Sequence, residues 1–65
     1  MKFDFTKEDF EYLVEKLMLN DELISILEFK IKGYSSTRIS LEMNMSERTV
    51  ARRVRYLKKK IARVL

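Results

Sequence analysis

The 65 residues contain no cysteine, no histidine, no proline and no tryptophan, and only one glycine, Gly33. Without Cys there are no disulfides and no thiolate metal sites, so the usual staples of a very small domain are missing. A chain this short buries a modest share of its surface and must gain its stability from closely packed elements. Losing Cys and His together removes the two commonest side chains for nucleophilic and acid-base chemistry near neutral pH. Carboxylates and serines remain, but no spacing gathers them into a site, so we expect no catalytic residue, no cofactor and no metal, and a chain that is not an enzyme. The absence of Pro and near-absence of Gly suit an almost wholly helical chain, because those residues interrupt helices. No run approaches the roughly 20 apolar residues of a membrane span, and the opening MKFDF is too polar for a signal peptide. A cytoplasmic protein without a membrane role is the expectation.

What is present is charge, unevenly divided. Residues 1–32 carry five Lys and eight Asp or Glu, a net −3, whereas residues 33–65 carry nine Lys or Arg and two Glu, a net +7. A basic half set against an acidic half points to a polyanionic partner for one surface.

Apolar spacing and capping residues together predict an all-α domain of four helices, over residues 7–18, 21–32, 36–43 and 47–62. Thr6 reads as the first N-cap, with Glu8 and Asp9 in the first turn and Phe10, Leu13, Val14, Leu17 and Met18 on one face. Phe5 and Phe10 have the spacing of a hydrophobic staple, as do Leu19 and Ile24. Asn20 caps a second helix, rich in Leu and Ile and expected to be the most buried, which closes on Lys30, Lys32 and Gly33. Ser35 caps the third, with Ile39 and Met43 facing inward and Ser40 small enough for a close crossing. Asn44 suits a left-handed turn position, Met45 points back to the core, and Ser46 caps the fourth helix. Only Asn44, Met45 and Ser46 separate the third helix from the fourth, which makes a helix-turn-helix.

The fourth helix carries the functional signal. Val50, Val54, Leu57, Ile61 and Val64 share one face, and Arg48, Arg52, Arg55, Lys59 and Arg63 form the opposite stripe. No acid follows Glu47 on this helix, so helix-internal ion pairs do not account for the cations. Arg supplies a planar fork matched to guanine edges and phosphates. Its concentration just after a tight turn points to double-stranded DNA, with the helix start in the major groove. Arg48, Ala51, Arg52 and Arg55 are the base-facing candidates, Ala51 through a thymine methyl. Glu47 reads first as a residue that favours the helix dipole, with acceptance from cytosine as the alternative. Arg63 lies roughly 22 Å along the axis from Arg48, so Lys58, Lys59 and Arg63 fall to phosphates or solvent. Ser36, Thr37, Arg38 and Thr49 are phosphate candidates at helix starts; Ser36 and Thr37 have plain capping as their other reading. Arg53 and Tyr56 flank the stripe, with contact to the DNA backbone or cover for the core edge both open to them.

The stretch from Leu19 to Ile61 resembles the LuxR/GerE-type helix-turn-helix of bacterial transcription regulators and the related fourth region of sigma factors. The resemblance rests on Leu19 to Glu22, Ile26-Leu27, Gly33 to Ser35, Ile39-Ser40, Met43 to Ser46, Thr49-Val50, Val54, Leu57 and Lys60-Ile61, at the family's spacing without a gap. It covers about two-thirds of the chain. It implies that Thr49 binds a backbone phosphate and that positions 47, 48, 51, 52 and 55 are available to bases. The chain departs from the family at Arg38, where an acid is usual, at Asn44 for Gly, at Ala51 for Lys and at Arg53 for His. These changes put the target sequence beyond the resemblance and leave the docking intact. GerE-type domains continue into a dimerising helix, whereas this chain ends at Leu65 and has an added helix in front, which favours the sigma-like comparison. A homodimer through another surface, involving the first helix or Ile61, Val64 and Leu65, stays open. The expectation is a small sequence-specific DNA-binding regulator of transcription, bacterial or from a phage or mobile element. The alternatives are a sigma-like adaptor or anti-sigma-type module docking on RNA polymerase or another regulator, and an accessory factor for phage recombination or packaging.

Overall fold

Each helix begins on a short polar side chain that accepts a hydrogen bond from the backbone three residues on. In this computed structural model, which describes residues 3–65, the caps are Thr6, Asn20, Ser35 and Ser46. They satisfy the amides of Asp9 at 3.1 Å, Leu23 at 2.9 Å, Arg38 at 3.2 Å and Thr49 at 3.1 Å. Thr6 makes a reciprocal box, since the Asp9 carboxylate accepts from its amide at 3.0 Å. A cap of this kind contributes about 1 kcal/mol. The helices are α1 (Lys7–Lys16), α2 (Asp21–Ile31), α3 (Ser36–Met43) and α4 (Glu47–Val64). The fold is thus the expected all-α four-helix arrangement, and no strand occurs among the described residues.

Three helices end the same way, and one ending corrects the sequence reading. After α2 and α3 the chain turns through a left-handed residue, Gly33 (φ 89°) and Asn44 (φ 57°), as the residue types suggest. The amides of Tyr34 and Met45 reach back to the carbonyls of Phe29 and Ser40, each at 3.0 Å. After α1 the left-handed residue is Met18 (φ 52°). Its amide and that of Leu19 return to Glu15 and Val14, at 3.3 and 3.2 Å. This is the double closure of a Schellman motif. Helix α1 therefore stops at Lys16 rather than residue 18, and Met18 is 88% exposed instead of lying on the inner face. The cause is Asn20. To cap α2 there, the chain must reverse between Leu17 and Leu19. Helix α4 runs two residues further than expected, to Val64.

Helix α4 organises the core. Val50, Leu57 and Ile61 are fully buried and Val54 nearly so. They meet Leu23, Ile26 and Leu27 of α2 and Ile39 of α3 in one cluster, because α4 packs against both helices. Ser40 is buried as well, and its hydroxyl donates to the Thr37 carbonyl at 2.6 Å. Helix α1 packs on α2 and fully buries only Leu13. Phe3, ahead of α1, joins the core at 9% exposure, edge-on to Phe5 with ring centroids 6.1 Å apart. The longest dimension of the fold is 28 Å, close to the ~27 Å that eighteen helical residues span.

Met18 holds a left-handed backbone without the freedom of glycine, and its side chain makes little use of the core. Met18→Gly should therefore raise stability by about 0.5–1 kcal/mol. In thermal unfolding this reads as a midpoint higher by a few degrees, and an unchanged or lower midpoint contradicts the assigned closure.

Candidate nucleic-acid interface

The turn between α3 and α4 is tied by side-chain hydrogen bonds on both of its sides. The Thr37 hydroxyl on α3 donates to the Glu47 carboxylate on α4, a side-chain bond between the two helices. At the same turn the Ser46 hydroxyl donates to the Thr49 hydroxyl at 2.9 Å while accepting from the Thr49 amide. A hydroxyl that accepts in this way keeps its own proton for another acceptor. Thr49 is half-buried, so that proton sits at the rim of the turn rather than on a mobile side chain.

Beyond the turn, the four base-facing candidates form one surface. Arg48, Ala51, Arg52 and Arg55 line a single open depression along α4, and all four are exposed. Their common face follows from helical spacing, since the opposite face is taken up by Val50, Val54 and Leu57 in the core. Lys59 and Arg63 continue the stripe in the exposed state. Among the described residues there are two ion pairs, Glu22–Arg53 and Glu28–Lys32, so none of these stripe cations has a carboxylate partner. Like charges at i,i+4 on a helix repel by about 0.2–0.5 kcal/mol per pair. Arg48 and Arg52, Arg55 and Lys59, and Lys59 and Arg63 all stand in that relation.

The phosphate candidates separate into distinct environments. Arg38 is held in place: its guanidinium carbon lies 3.8 Å from the centre of the Tyr34 ring, which itself stacks on Phe29 at 5.1 Å and 13°. Stacking of this kind orients the fork of the guanidinium before any ligand arrives. Thr37 is different, because its hydroxyl is already engaged by Glu47; what it offers an anion is its backbone amide in the first turn of α3. Ser36 is half-buried and Lys58 exposed. Arg53 is turned away from the stripe toward α2, where its Nε donates to the Glu22 carboxylate at 2.6 Å. This bond to the scaffold is a role separate from the two expected for Arg53, contact with the DNA backbone and cover for the core edge. Lys60 lies over the Tyr56 ring at 5.5 Å on the same flank of α4.

Three features of the site escape sequence reading. Glu22–Arg53 joins residues 31 apart and Thr37–Glu47 joins residues 10 apart, and no local rule couples such positions. The third is Lys30 of α2, which lines a hollow together with Ser36, Arg55 and Lys58. Its only sequence signal is a last-turn cation that favours the helix dipole.

Among the described residues no cluster of three or more His, Cys, Asp or Glu is placed to hold a metal ion, and no helix is long and apolar enough to cross a membrane. No family model matches the chain, and neither the curated proteins nor the solved structures include a significant match to it.

The Glu22–Arg53 pair is about two-fifths exposed on each side, so solvent screens it. A double-mutant cycle with Glu22→Ala and Arg53→Ala should give a coupling of roughly 0.2–1 kcal/mol that shrinks with added salt. Zero coupling at low salt would show that the pair does not hold α4 to α2.

Proposed function

We propose that the chain binds double-stranded DNA in a sequence-specific manner and acts as a small regulator of transcription, with α4 entering the major groove. The observation that carries this reading is the continuous face of Arg48, Ala51, Arg52 and Arg55, exposed and free of carboxylates at the turn-proximal end of α4. A helix fits the major groove, and guanidinium forks there match the acceptor pair on guanine. Arg48, Arg52 and Arg55 would read bases, and Ala51 would meet a thymine methyl. Arg38, Lys58, Lys59 and the Thr49 hydroxyl would hold backbone phosphates, as would Ser36 and the Thr37 amide at the start of α3. Phosphate contacts fix the register of the protein, and base contacts select the sequence. Arg53 belongs to the support of α4 in this reading, through Glu22.

The LuxR/GerE-type resemblance of residues 19–61 supports the same docking. It does not extend to the family's mode of dimerisation, and the proposal requires none. Docking on RNA polymerase or another regulator through the acidic helices is the second reading. It has one observation behind it: Tyr12 and Met18 are exposed large side chains that line one hollow with Glu15 and Lys16. Loss of DNA binding as a property of the chain would favour it.

Duplex binding should weaken steeply with salt, with a log–log slope on the order of −4 to −7. Affinity that is indifferent to salt, or absent at low salt, excludes this function. Within it, Arg52→Ala should cost roughly 1–3 kcal/mol on the preferred sequence and much less on random duplex, whereas Lys59→Ala should weaken both alike. Equal behaviour of the two variants would abolish the division into base and phosphate contacts.

A further inference from the structure

Helix α2 belongs to the acidic half of the chain, yet one of its lysines is brought against the basic helix. Lys30 lines an open hollow of about 260 Å³ with Ser36 of α3 and Ala51, Val54, Arg55 and Lys58 of α4. Arg55 and Lys58 are neighbours one turn apart on α4, so their proximity is dictated by the helix. Lys30 is not: it arrives from 25 residues away in sequence through the packing of α2 on α4. It is half-buried, and its Nζ stands 5.7 Å from the centre of the Phe3 ring, which is itself part of the core. The lining includes no acid, and neither ion pair among the described residues involves these three cations. A solvated charged face keeps its cations apart. Here two helices bring three cationic residues to the lining of one hollow, together with a serine of α3.

We infer that this hollow is a phosphate-binding site, in which Lys30, Arg55 and Lys58 neutralise the anion and the Ser36 hydroxyl donates to one of its oxygens. The chemistry is that of a phosphate oxyanion, which either a DNA backbone or the free ion presents. With α4 in the groove, the hollow would face the backbone beside the reading face, and Lys30 would contact the phosphate from outside the two helices of the motif. That placement rests on the DNA reading above. It gives α2 a direct part in docking and gives Phe3 the role of holding the lysine in position.

Two measurements on the whole chain test it. In the first, wild type, Lys30→Gln and Lys58→Gln are titrated with duplex across salt. Removal of one phosphate contact should flatten the log–log slope by about 0.9, so that between 50 and 200 mM salt wild type loses about three- to fourfold more affinity than either variant. In the second, inorganic phosphate is titrated while backbone amide shifts are followed. Saturating shifts at Lys30, Ser36, Arg55 and Lys58, abolished by Lys30→Gln, are expected. A changed slope assigns the site to the DNA backbone, and saturating shifts with an unchanged slope assign it to free phosphate. Unchanged slopes together with no localised shifts overturn the site, even if wild type binds DNA well. Localised shifts in a protein that binds no duplex overturn the DNA reading and keep the hollow. Lys58 is exposed, so if Lys30→Gln perturbs folding the phosphate titration of Lys58→Gln decides instead: loss of the shifts at Lys30 and Ser36 supports the hollow, and their persistence overturns it.

Discussion

Val50, Val54, Leu57 and Ile61 are removed from water by two neighbours at once, α2 on one side and α3 on the other. Every other feature of the molecule depends on that seam. A chain without disulfides or metals has only burial to offset the entropy of ordering its backbone. The longest helix supplies the largest continuous apolar face, and it is buried along most of its length. Ile26, Leu27 and Ile39, all fully buried, are the surfaces that receive it. Helix α1 adds less, with Leu13 alone fully buried, and it serves to cover the outer side of α2.

The same helix also carries eight of the fourteen Lys and Arg residues, and burial of one face decides where that charge goes. Eight Lys or Arg lie between Glu47 and Leu65, and the inner face admits none of them. They crowd onto the remaining surface and raise its potential, with Glu47 the one acid on the same helix. Two of them are drawn aside. Arg53 is neutralised by Glu22, and Lys60 lies over Tyr56. What is left includes the stripe of Arg48, Arg52, Arg55, Lys59 and Arg63, none of which has a carboxylate partner among the described residues. Charge of one sign on a defined face steers an oppositely charged partner into one orientation before contact.

Much of this was legible because its physics is local. A Ser, Thr or Asn three residues ahead of an orphan amide caps a helix whatever the rest of the chain does, and all four caps stand where the residue types put them. Gly33 and Asn44 turn left-handed for reasons that lie in their own side chains. The stripe on α4 follows from 3.6-residue spacing alone. Met18 was not legible in this way. Methionine has no preference for a left-handed backbone, and the conformation is imposed by the caps on either side of it. Glu22–Arg53, Thr37–Glu47 and the position of Lys30 depend on how helices are set against each other, which periodicity does not specify. The N-terminal Phe3 escaped for the same reason: a residue outside any helix is buried only by the elements that happen to lie across it.

The bond between Thr37 and Glu47 shows how such long-range detail bears on recognition. In the DNA-binding role proposed for α4, a helix projecting from a three-residue turn could rock about that turn, and every degree of freedom frozen on binding would subtract from affinity. Interfaces gain when the ordering cost is met during folding instead of at association. Here the turn carries several constraints together: Asn44 in its left-handed state, Met45 tucked against the core, Ser46 capping α4 and bonded to Thr49, and a hydroxyl from α3 seated on the carboxylate of α4's first residue. Glu47 is the sole acid of α4. Free, it would oppose a polyanion at the point of closest approach. Engaged by Thr37 and set at the positive end of the helix dipole, it acts within the protein, and the first unpaired charges beyond it are the guanidinium groups of Arg48 and Arg52. The residue that most weakens the positive face is thereby converted into the one that fixes its direction.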